Sequence, residues 1–420
     1  MLLRFEKPRR RRRLIAQYAA MQLSKYNYTV EHAGKYYIFN ALSGACACFT
    51  EGEHRVLQEN RCTEEMMAQL LELGMIVPDD TDETARYLAL VEEENKQSTK
   101  RFYRILSTTA CNARCFYCYE NGVAVQSMSD KTARDVADFI ADNQGQAKHL
   151  LLQFFGGEPL CNTRAIDLIS ERLTERGLPF EATMTSNGFL INDALARRAK
   201  EKWHVHKVQI TLDGTKEVYE AVKMYDTPNA FERVIKNIHS LTAVGIRVSI
   251  RLNYSEKTKS DIQKLVAFLS EEYKGDENIR VYAHRLFDDD ANAGTDEEIY
   301  DCLKRHGFLS KRDLDFPELV LNPCMARRRD SLVILPNGDL AKCTRGLNLP
   351  NGVIGSIYGA KALSDTWGQL NPDCISCKHL PLCGGGCKCE EFMKQSFCTL
   401  SEKEINKKII EIIKEKETLL

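Results

Sequence analysis

Three absences narrow what the 420-residue sequence can encode. It has no long uninterrupted apolar run, which argues against a membrane-spanning helix. It has almost no net charge, because 58 Lys and Arg residues are offset by 59 Asp and Glu residues, and this argues against a nucleic-acid partner for the chain as a whole. It has no recognisable secretory signal, since the apolar stretch after the basic run at residues 7–13 is short and interrupted by Gln17. We therefore expect a cytoplasmic protein without a membrane segment.

Cysteine, by contrast, is abundant, with 16 residues. In a reducing compartment, clustered cysteines are more often metal ligands than disulfides. Cys111, Cys115 and Cys118 have the spacing CxxxCxxC and follow a β-prone run at residues 102–109. Three soft thiolates on one short loop suit a [4Fe–4S] cluster, whose fourth iron then stays open to a small molecule. A zinc site normally has a fourth protein ligand and a disulfide would leave one thiol over, but at this point both alternatives stay open.

The middle of the chain alternates predicted strands and helices. After the strand that precedes the cysteine triad, the strands are predicted at residues 150–155, 180–185, 205–212, 246–252 and 279–284. The helices are predicted near residues 131–142, 164–176, 193–202, 230–244 and 260–273. Strict alternation is typical of a parallel sheet covered by helices. Six such units close only part of a barrel, so we predict an α/β fold built on a partial (β/α)6 TIM barrel.

Unusual residues follow four of these strands at their carboxyl ends, where parallel sheets bind ligands. They are Gly156-Gly157-Glu158-Pro159, Thr185-Ser186-Asn187-Gly188, Thr211-Leu212-Asp213-Gly214 and Arg251-Leu252-Asn253. We expect the Glu158 carboxylate to face the barrel mouth, and the two glycines before it to let the backbone approach another group closely. Hydroxyl, amide, carboxylate and guanidinium groups around one mouth suit a zwitterionic ligand that carries a ribose.

The N-terminal part has a different pattern. A basic tail at residues 1–24 precedes residues 25–82, which predict a hairpin turning at Ala33-Gly34, short helices near residues 53–60 and 63–73, and a short strand at residues 75–77. This order predicts a compact domain. A charged linker helix at residues 83–99 then leads to the barrel, which we assign to residues 100–300.

The C-terminal part, residues 301–400, holds nine cysteines, and seven of them, spread over 75 residues, form an array of candidate ligands; a hairpin is predicted around Pro336-Asn337-Gly338. Little regular core surrounds these cysteines, which predicts a fold held by metal. Zinc is the first expectation for such spacings alone, but the triad favours two further iron–sulfur clusters. A final helix at residues 401–420 opens with a capping box, Ser401 and Glu404, and carries an isoleucine stripe for packing. The cysteines are Cys324, Cys343, Cys374, Cys377, Cys383, Cys387 and Cys398, and the stripe is Ile405, Ile409, Ile412 and Ile413.

The triad, with Tyr117 before its last cysteine, and the turn at residues 156–159 together resemble the radical S-adenosylmethionine enzymes. The C-terminal cysteines resemble the SPASM extension of those members that modify peptides and proteins. This resemblance covers roughly residues 100–400. It implies S-adenosylmethionine and three [4Fe–4S] clusters as cofactors, and an external electron donor of the flavodoxin or ferredoxin type. The N-terminal domain resembles the winged-helix leader-recognition domain of enzymes that mature ribosomally made peptides, where an exposed hairpin edge can bind an extended leader.

The resemblance also implies roles for individual residues. Cys111, Cys115 and Cys118 would hold the cluster that binds S-adenosylmethionine. The residues implied to contact S-adenosylmethionine are Tyr117 at the adenine, Gly156, Gly157, Glu158 and Pro159 at the amino group, Thr211 at the ribose, Arg251 at the carboxylate, and Ser186. One auxiliary cluster would bind Cys374, Cys377, Cys383 and Cys398. The other would bind Cys324, Cys343 and Cys387, completed by Cys302, by Cys389 or by substrate at an open iron.

One segment departs from the pattern of the relatives. Many of them have His-Asp and then Arg after the Asp213-Gly214 position, whereas Tyr219-Glu220 and Lys223 stand here. We therefore assign no role to that segment from the sequence.

The activity implied is cleavage of S-adenosylmethionine to methionine and a 5′-deoxyadenosyl radical, which abstracts hydrogen from a peptide. Loss of an electron to an auxiliary cluster would then close a thioether or carbon–carbon crosslink in a precursor peptide. Asp213 is the expected general base, from its place at a strand end. Within the same class, the alternative is a sulfatase-type maturase that oxidises Cys or Ser to formylglycine. From another class, the alternative is a zinc-ribbon binding protein whose basic tail contacts nucleic acid.

Overall fold

The computed structural model describes residues 21–286, 297–308, 316–349, 351–359, 370, 372–386 and 400–418. Most of the expected basic tail and three cysteines, Cys387, Cys389 and Cys398, lie outside the described residues. Within those residues, no helix is both long and apolar enough to cross a membrane. None of the thirteen cysteines in this part of the chain forms a disulfide.

The strands of the described residues fall into three groups. The N-terminal group is β1 (Met21–Leu23), β2 (Asn27–His32), β3 (Lys35–Asn40), β4 (Cys46–Phe49) and β5 (Ile76–Pro78). The barrel group is β6 (Lys100–Thr108), β7 (His149–Gly156), β8 (Phe180–Ser186), β9 (Val205–Leu212), β10 (Arg247–Tyr254) and β11 (Ile279–Arg285). The C-terminal group is β12 (Ser331–Ile334), β13 (Asp339–Ala341) and β14 (Val353–Ser356).

The helices follow the same division. The N-terminal helices are α1 (Glu51–Gln58), α2 (Glu64–Glu72) and α3 (Glu83–Gln97). The barrel helices are α4 (Asp130–Asp142), α5 (Thr163–Glu175), α6 (Asp193–Glu201), α7 (Lys216–Lys223), α8 (Ala230–Ala243), α9 (Lys259–Glu272) and α10 (Glu297–Arg305). The C-terminal helices are α11 (Pro372–Ile375), α12 (Leu380–Cys383) and α13 (Glu402–Thr418). Short 3₁₀ turns span Pro159–Asn162, Met325–Arg327 and Thr344–Leu347.

The six barrel strands form a parallel sheet in the order β11-β10-β9-β8-β7-β6. Ile105 lies opposite Phe154, and Ile210 opposite Ile250. These four side chains are fully buried because helices cover the outer face and side chains fill the inner one. The predicted α/β fold with a partial parallel barrel is confirmed.

Two helices of the barrel group, α7 and α10, were not predicted. Between β9 and β10 the chain forms α7 before the expected α8. Helix α7 ends because Met224 takes the left-handed conformation with φ 48°, and α8 starts after Asn229 with φ 59°. The buried face of α7 carries Tyr219, Val222 and Lys223, and its eight residues make only about two turns, so the periodic signal in the sequence is short.

The C-terminal hairpin extends the barrel sheet. The predicted turn is confirmed, since Ile334 of β12 pairs with Leu340 of β13. Strand β12 also lies parallel to β6, with Val333 opposite Arg104, and β14 continues the sheet beyond β13. The strand that leads to the cysteine triad therefore has barrel strand β7 on one side and the C-terminal strand β12 on the other.

The N-terminal part builds a three-stranded antiparallel sheet in the order β2-β3-β4, with α1 and α2 against it. The hairpin between β2 and β3 turns at Ala33 and Gly34, with φ 49° and 72°, as expected for a two-residue turn with positive φ at both positions. The short strand predicted at residues 75–77 is confirmed as β5, which pairs with β1. Strands β1 and β4 were not predicted, because runs of three or four residues carry little periodic signal.

The two ends of the chain pack on each other. Ser401 and Glu404 form the predicted capping box at the start of α13. The predicted isoleucine stripe is buried, and it packs into one apolar cluster with Tyr28 and Phe39 of the N-terminal sheet. Helix α3 is likewise more than a linker, because the Tyr87 hydroxyl donates to the carbonyl of Val320 at 2.7 Å.

Replacing Ile409 with alanine should test this packing. The side chain is fully buried, so Ile409→Ala removes apolar contact and leaves a cavity, and we expect unfolding free energy to fall by about 2–5 kcal/mol. The neighbouring Lys408 is exposed, and Lys408→Ala should change stability by less than about 0.5 kcal/mol. Urea unfolding of both variants measures the difference. Equal effects would contradict the packing of α13.

Candidate active site

The carboxyl ends of the barrel strands open into a cavity of about 780 Å³. The cysteines of the triad, Cys111, Cys115 and Cys118, line it. Six further residues expected at the site also line it, namely Tyr117, Gly156, Gly157, Ser186, Thr211 and Arg251. The fold thus collects the loop after β6 and the ends of β7, β8, β9 and β10 around one space, as parallel barrels do.

The triad loop is held by hydrogen bonds at its sulfur and backbone atoms. Cys111 Sγ accepts the backbone N–H of Ala113 at 3.4 Å and lies 3.8 Å from Asn187 Nδ2. The N–H of Arg114 donates to the carbonyl of Lys223 at 2.8 Å, which ties the loop to α7. Burial raises the pKa of Cys111 to about 11, so this thiol ligates as a thiolate only when a metal supplies positive charge.

The triad fits a cluster better than a single ion. Among the residues that the structure describes, no group of three or more His, Cys, Asp or Glu side chains is arranged to hold one metal ion. A [4Fe–4S] cluster distributes its ligands around a larger body, and three thiols facing an open cavity suit that arrangement.

The two glycines after β7 are required by the neighbouring strand. Gly156 has φ +142°, and a Cβ there would lie 2.1 Å from the carbonyl oxygen of Thr108. A Cβ on Gly157 would lie 2.5 Å from the carbonyl oxygen of Thr109 and 2.6 Å from that of Ala110. The group that the glycine backbone approaches is therefore the start of the triad loop, and any larger residue would push the loop away.

Glu158 does not face the mouth, and this expectation was wrong. Its carboxylate is fully buried and accepts hydrogen bonds from the N–H of Asn187 at 2.7 Å, the Ser186 hydroxyl at 2.9 Å and the N–H of Leu160 at 3.1 Å. Burial raises the pKa of Glu158 to about 7 although these donors favour the charged form. Pro159 is buried as well. Glu158 fastens the glycine turn to the loop after β8, the carbonyl of Pro159 accepts from the Ser107 hydroxyl at 3.2 Å, and neither residue lines the cavity.

Asp213 was expected to be a base, and the structure argues against that role. Its carboxylate is buried and forms an ion pair with Lys223, with Nζ 2.7 Å from Oδ2. Both side chains are at most 3% exposed. Lys223 and the Tyr117 hydroxyl occupy this carboxylate inside the protein. Asp213 does not line the cavity.

Lys223 is the site residue that the sequence did not reveal. Its Nζ also donates to Thr211 Oγ1 at 2.7 Å and to the Tyr117 hydroxyl at 3.1 Å. Burial alone would lower the pKa of Lys223, but Asp213 and Tyr117 raise it well above its ordinary value. One signal was available in the sequence. Lys223 stands four residues after Tyr219, so in a helix both lie on one face, and if that face is buried the lysine needs an anionic partner.

The Tyr117 hydroxyl is the meeting point of this network. It donates a hydrogen bond to Asp213 Oδ1 at 2.9 Å and accepts one from Asn253 Nδ2 at 3.2 Å. Asn253 in turn accepts from Arg251 Nε at 2.9 Å. The triad loop is thereby joined through a single side chain to the ends of β9 and β10.

The C-terminal cysteines reach the same region from the other side. Cys343 lines the cavity with Thr344 and Arg345. Sulfur atoms of three other cysteines accept the backbone N–H two residues ahead, as Cys111 does: Cys324 from Ala326 at 3.5 Å, Cys377 from His379 at 3.4 Å and Cys383 from Gly385 at 3.3 Å. Such bonds favour thiolate ligands. Cys302 is placed elsewhere: it is buried in the barrel core on α10, near the carbonyl of Gln263, so the structure does not bring it to the other cysteines.

A buried cation lies among these thiols. Arg327 is 8% exposed and donates to the carbonyl of Gly385 at 2.7 Å, while Cys374 Sγ lies 3.7 Å from the same oxygen. Burial lowers the pKa of Arg327, whereas nearby Tyr87, Cys374, Cys383 and Cys324 raise it as they become anionic. Its Nε has no hydrogen-bond partner within the described part of the chain. A guanidinium in this setting fits the negative charge of thiolate-ligated iron–sulfur clusters.

Residues 105–269 match the sequence model described as Radical SAM superfamily. This stretch, which includes the triad and the strands that line the cavity, is therefore a radical SAM domain. The uncharacterized protein MJ0907 of Methanocaldococcus jannaschii is similar over 166 residues, with 28% identity. That match spans 39% of this chain and 56% of the relative, so the chain covers about half the length of that curated relative.

Solved structures share the fold over a larger part of the chain. The structure of anSMEcpe with bound AdoMet covers 76% of this chain and 98% of its own, with a TM-score of 0.57 and 17% identity. SuiB of Streptococcus suis, bound to S-adenosylmethionine, covers 90% of this chain and 100% of its own, with a TM-score of 0.53 and 16% identity. SuiB has also been solved bound to the precursor peptide SuiA.

Substitution of Lys223 should show how much the ion pair with Asp213 contributes to the unfolding free energy. Lys223→Met leaves the Asp213 carboxylate buried without a counter-charge, and we expect a loss of about 3–5 kcal/mol in unfolding free energy. The double variant Lys223→Met/Asp213→Asn removes both charges and should recover part of that loss. Urea unfolding of the parent, Lys223→Met, Asp213→Asn and the double variant measures the coupling. Additive effects of the two substitutions would contradict a direct ion pair.

Glu158 should give the stability of the protein a recognisable pH dependence. Its pKa of about 7 in the folded protein exceeds the ordinary value of about 4.5, so the folded state keeps a proton that the unfolded state has released between these values. Stability should therefore fall as pH rises from about 4.5 to 7, on the order of 3 kcal/mol in total, and level off above. In Glu158→Gln this contribution is absent. The unfolding free energy of the parent and of Glu158→Gln should be measured at several pH values. The two plots of free energy against pH should diverge between pH 4.5 and 7, and parallel plots would contradict the raised pKa of Glu158.

Proposed function

We propose that the chain is a radical S-adenosylmethionine maturase that installs an oxidative crosslink, a thioether or carbon–carbon bond, in a ribosomally synthesised peptide. The observation that carries the proposal is the shared cavity: the triad cysteines and Cys343 of the C-terminal part line one space of about 780 Å³. A substrate held there would contact both cysteine sets. A reaction that forms a radical and then removes an electron needs this proximity.

The residues for the cofactors follow from the geometry. Cys111, Cys115 and Cys118 would hold one [4Fe–4S] cluster, and the bound cluster would supply an electron for cleavage of S-adenosylmethionine to methionine and a 5′-deoxyadenosyl radical. The side chains and backbone proposed to contact S-adenosylmethionine are Tyr117, Gly156, Gly157, Ser186, Thr211 and Arg251. The solved complexes of anSMEcpe and SuiB with this ligand support the assignment.

The C-terminal part, residues 301–400, is proposed to be a SPASM-type domain with two auxiliary clusters. Cys374, Cys377 and Cys383 would belong to one and Cys324 and Cys343 to the other. Cys398, the fourth ligand proposed for the first set, and Cys387, the third ligand proposed for the second, lie outside the described residues. The N–H···S bonds and the buried Arg327 support ligation of this kind.

The protein's own side chains position and enclose the reactants. Lys223 and Asp213 fix the Tyr117 ring at the cavity wall, so that a ligand stacked there has one orientation. Glu158 holds the glycine turn against the triad loop. The walls of the cavity limit the access of water, which would otherwise quench a radical.

Residues 25–82 are proposed to recognise the leader of the precursor peptide. Strands β2 and β4 are the two edges of the N-terminal sheet within the described residues, and an extended peptide can add to such an edge. The complex of SuiB with SuiA supports a peptide partner. The fold likeness to SuiB also covers 90% of this chain against 76% for anSMEcpe, which favours a protein with additional N-terminal structure over the formylglycine-forming alternative. An external flavodoxin or ferredoxin would supply electrons.

Two anaerobic assays test the function. The reconstituted protein, reduced with dithionite, should convert S-adenosylmethionine to 5′-deoxyadenosine, and the triple variant Cys111→Ala/Cys115→Ala/Cys118→Ala should not. A precursor peptide encoded beside the gene and co-expressed with the enzyme should lose two hydrogens by mass spectrometry. The triple variant is the control for that mass change.

Two results would contradict the proposal. Zinc without iron in a colourless anaerobic preparation would indicate the zinc-ribbon alternative. Turnover of a sulfatase fragment, with the neighbouring peptide unchanged in mass, would indicate formylglycine formation instead of crosslinking.

A further inference from the structure

The N-terminal sheet contacts the loop that carries three of the C-terminal cysteines. We call residues 374–383, with Cys374, Cys377 and Cys383, the cysteine loop. Tyr28 of β2 is fully buried, and its hydroxyl lies 2.6 Å from His379 Nδ1 and 3.3 Å from the carbonyl oxygen of Lys378. The Tyr28 and His379 rings also stack, with centroids 5.9 Å apart and an interplanar angle of 21°.

A second side chain holds the same loop from α3. The Thr84 hydroxyl donates to the carbonyl oxygen of Ile375 at 3.0 Å, and Thr84 is 7% exposed. Ile375 stands two residues before Cys377, and Lys378 one residue after it. Two N-terminal side chains therefore bind backbone carbonyls on either side of one cysteine.

The contact continues to the sulfur atom. The backbone N–H of His379 donates to Cys377 Sγ at 3.4 Å. Tyr28 holds the ring of that same residue, so a shift of Tyr28 would change the direction of the N–H toward the sulfur. Hydrogen bonds to ligating sulfurs stabilise the more reduced, more negative state of an iron–sulfur cluster and so raise its reduction potential.

We propose that Tyr28 and Thr84 are positioning residues for Cys377, and that through them the N-terminal domain sets the reduction potential of the auxiliary centre at the cysteine loop. This inference rests on the proposed function only in requiring that Cys374, Cys377 and Cys383 bind an iron–sulfur cluster. Neither residue lines the cavity, so their influence on the chemistry passes through the cysteine loop. The N-terminal domain, which is proposed to bind the peptide, is thereby coupled by direct contacts to the cysteine loop, which is proposed to hold the electron acceptor.

The test uses the full-length protein with Cys111, Cys115 and Cys118 replaced by alanine, so that only the auxiliary centres hold iron. Into this parent are placed Tyr28→Phe, which removes only the hydroxyl, and Thr84→Val, which removes the donor at nearly constant volume. Tyr36→Phe is the matched control, because Tyr36 lies in the same sheet but stacks on His54, with centroids 4.1 Å apart. Iron content, the electron paramagnetic resonance spectrum of the reduced protein and a mediated redox titration are recorded for each.

We expect Tyr28→Phe and Thr84→Val to move the midpoint potential of one centre to a lower value and to change its spectrum, with circular dichroism unchanged. Tyr36→Phe should match the parent. Thr84→Ser keeps a hydroxyl donor and should restore the parent potential, which a general loss of stability would not allow. If Tyr28→Phe or Thr84→Val loses the iron of that centre, two comparisons support the same positioning role. Thr84→Ser should recover the iron that Thr84→Val loses, and Tyr36→Phe should retain the iron that Tyr28→Phe loses.

Potentials and spectra of Tyr28→Phe and Thr84→Val that equal those of the parent would overturn the inference. The part of the proposed function on which the inference rests, the auxiliary clusters, fails in a different way, because the triple-alanine parent would then contain no iron. The two failures are therefore distinguished by the metal content of the parent before any redox titration.

Discussion

The ion pair between Lys223 and Asp213 is the interaction on which the arrangement of the site depends. A buried ammonium is tolerated only when an anion and further acceptors surround it. Here Asp213, Thr211 and Tyr117 supply them, and two of these three residues stand at the end of β9 while the third belongs to the triad loop. The desolvation cost of one lysine thus forces the triad loop, β9 and α7 into a single geometry. The same pair holds the Asp213 carboxylate inside the protein and not at the cavity wall.

Arg327 is a second buried cation, but unlike Lys223 it has no carboxylate partner among the described residues. Its position therefore indicates that a negative charge from a bound group belongs at this place. Lys223 has a carboxylate partner, whereas Arg327 is surrounded by a carbonyl, a phenol and three cysteines, with its Nε unpaired among the described residues. A buried guanidinium among neutral thiols is costly. In the proposed auxiliary clusters those thiols would become thiolates and give the site net negative charge, which would supply the anions that Arg327 lacks among the described residues.

The sequence predicted those features that depend on local pattern. Strand β9 was predicted to the residue, because an apolar run between two helical segments leaves few alternatives. Six residues that line the cavity could be proposed from the sequence, because the carboxyl ends of parallel strands lie at the same edge of the sheet. The pairing of β12 with β6 was not predictable, since it joins segments more than 200 residues apart in sequence and short strands carry no signal of their partner. The orientation of Glu158 was missed for the same reason: its direction is set by donors on the next strand's loop.

The packing of the two chain ends changes how peptide recognition can be studied. Tyr28, Phe39 and Tyr87 share one apolar cluster with Leu380 and the isoleucine stripe of α13. Deletion of residues 1–95 would strip this cluster and remove both side chains that hold the cysteine loop, so loss of activity after such a deletion would say nothing about leader binding. Because of this shared core, the effect of such a deletion also cannot separate crosslinking from the formylglycine-forming alternative. Substitutions at the sheet edges, such as exposed positions of β4, separate recognition from folding because they leave the cluster intact.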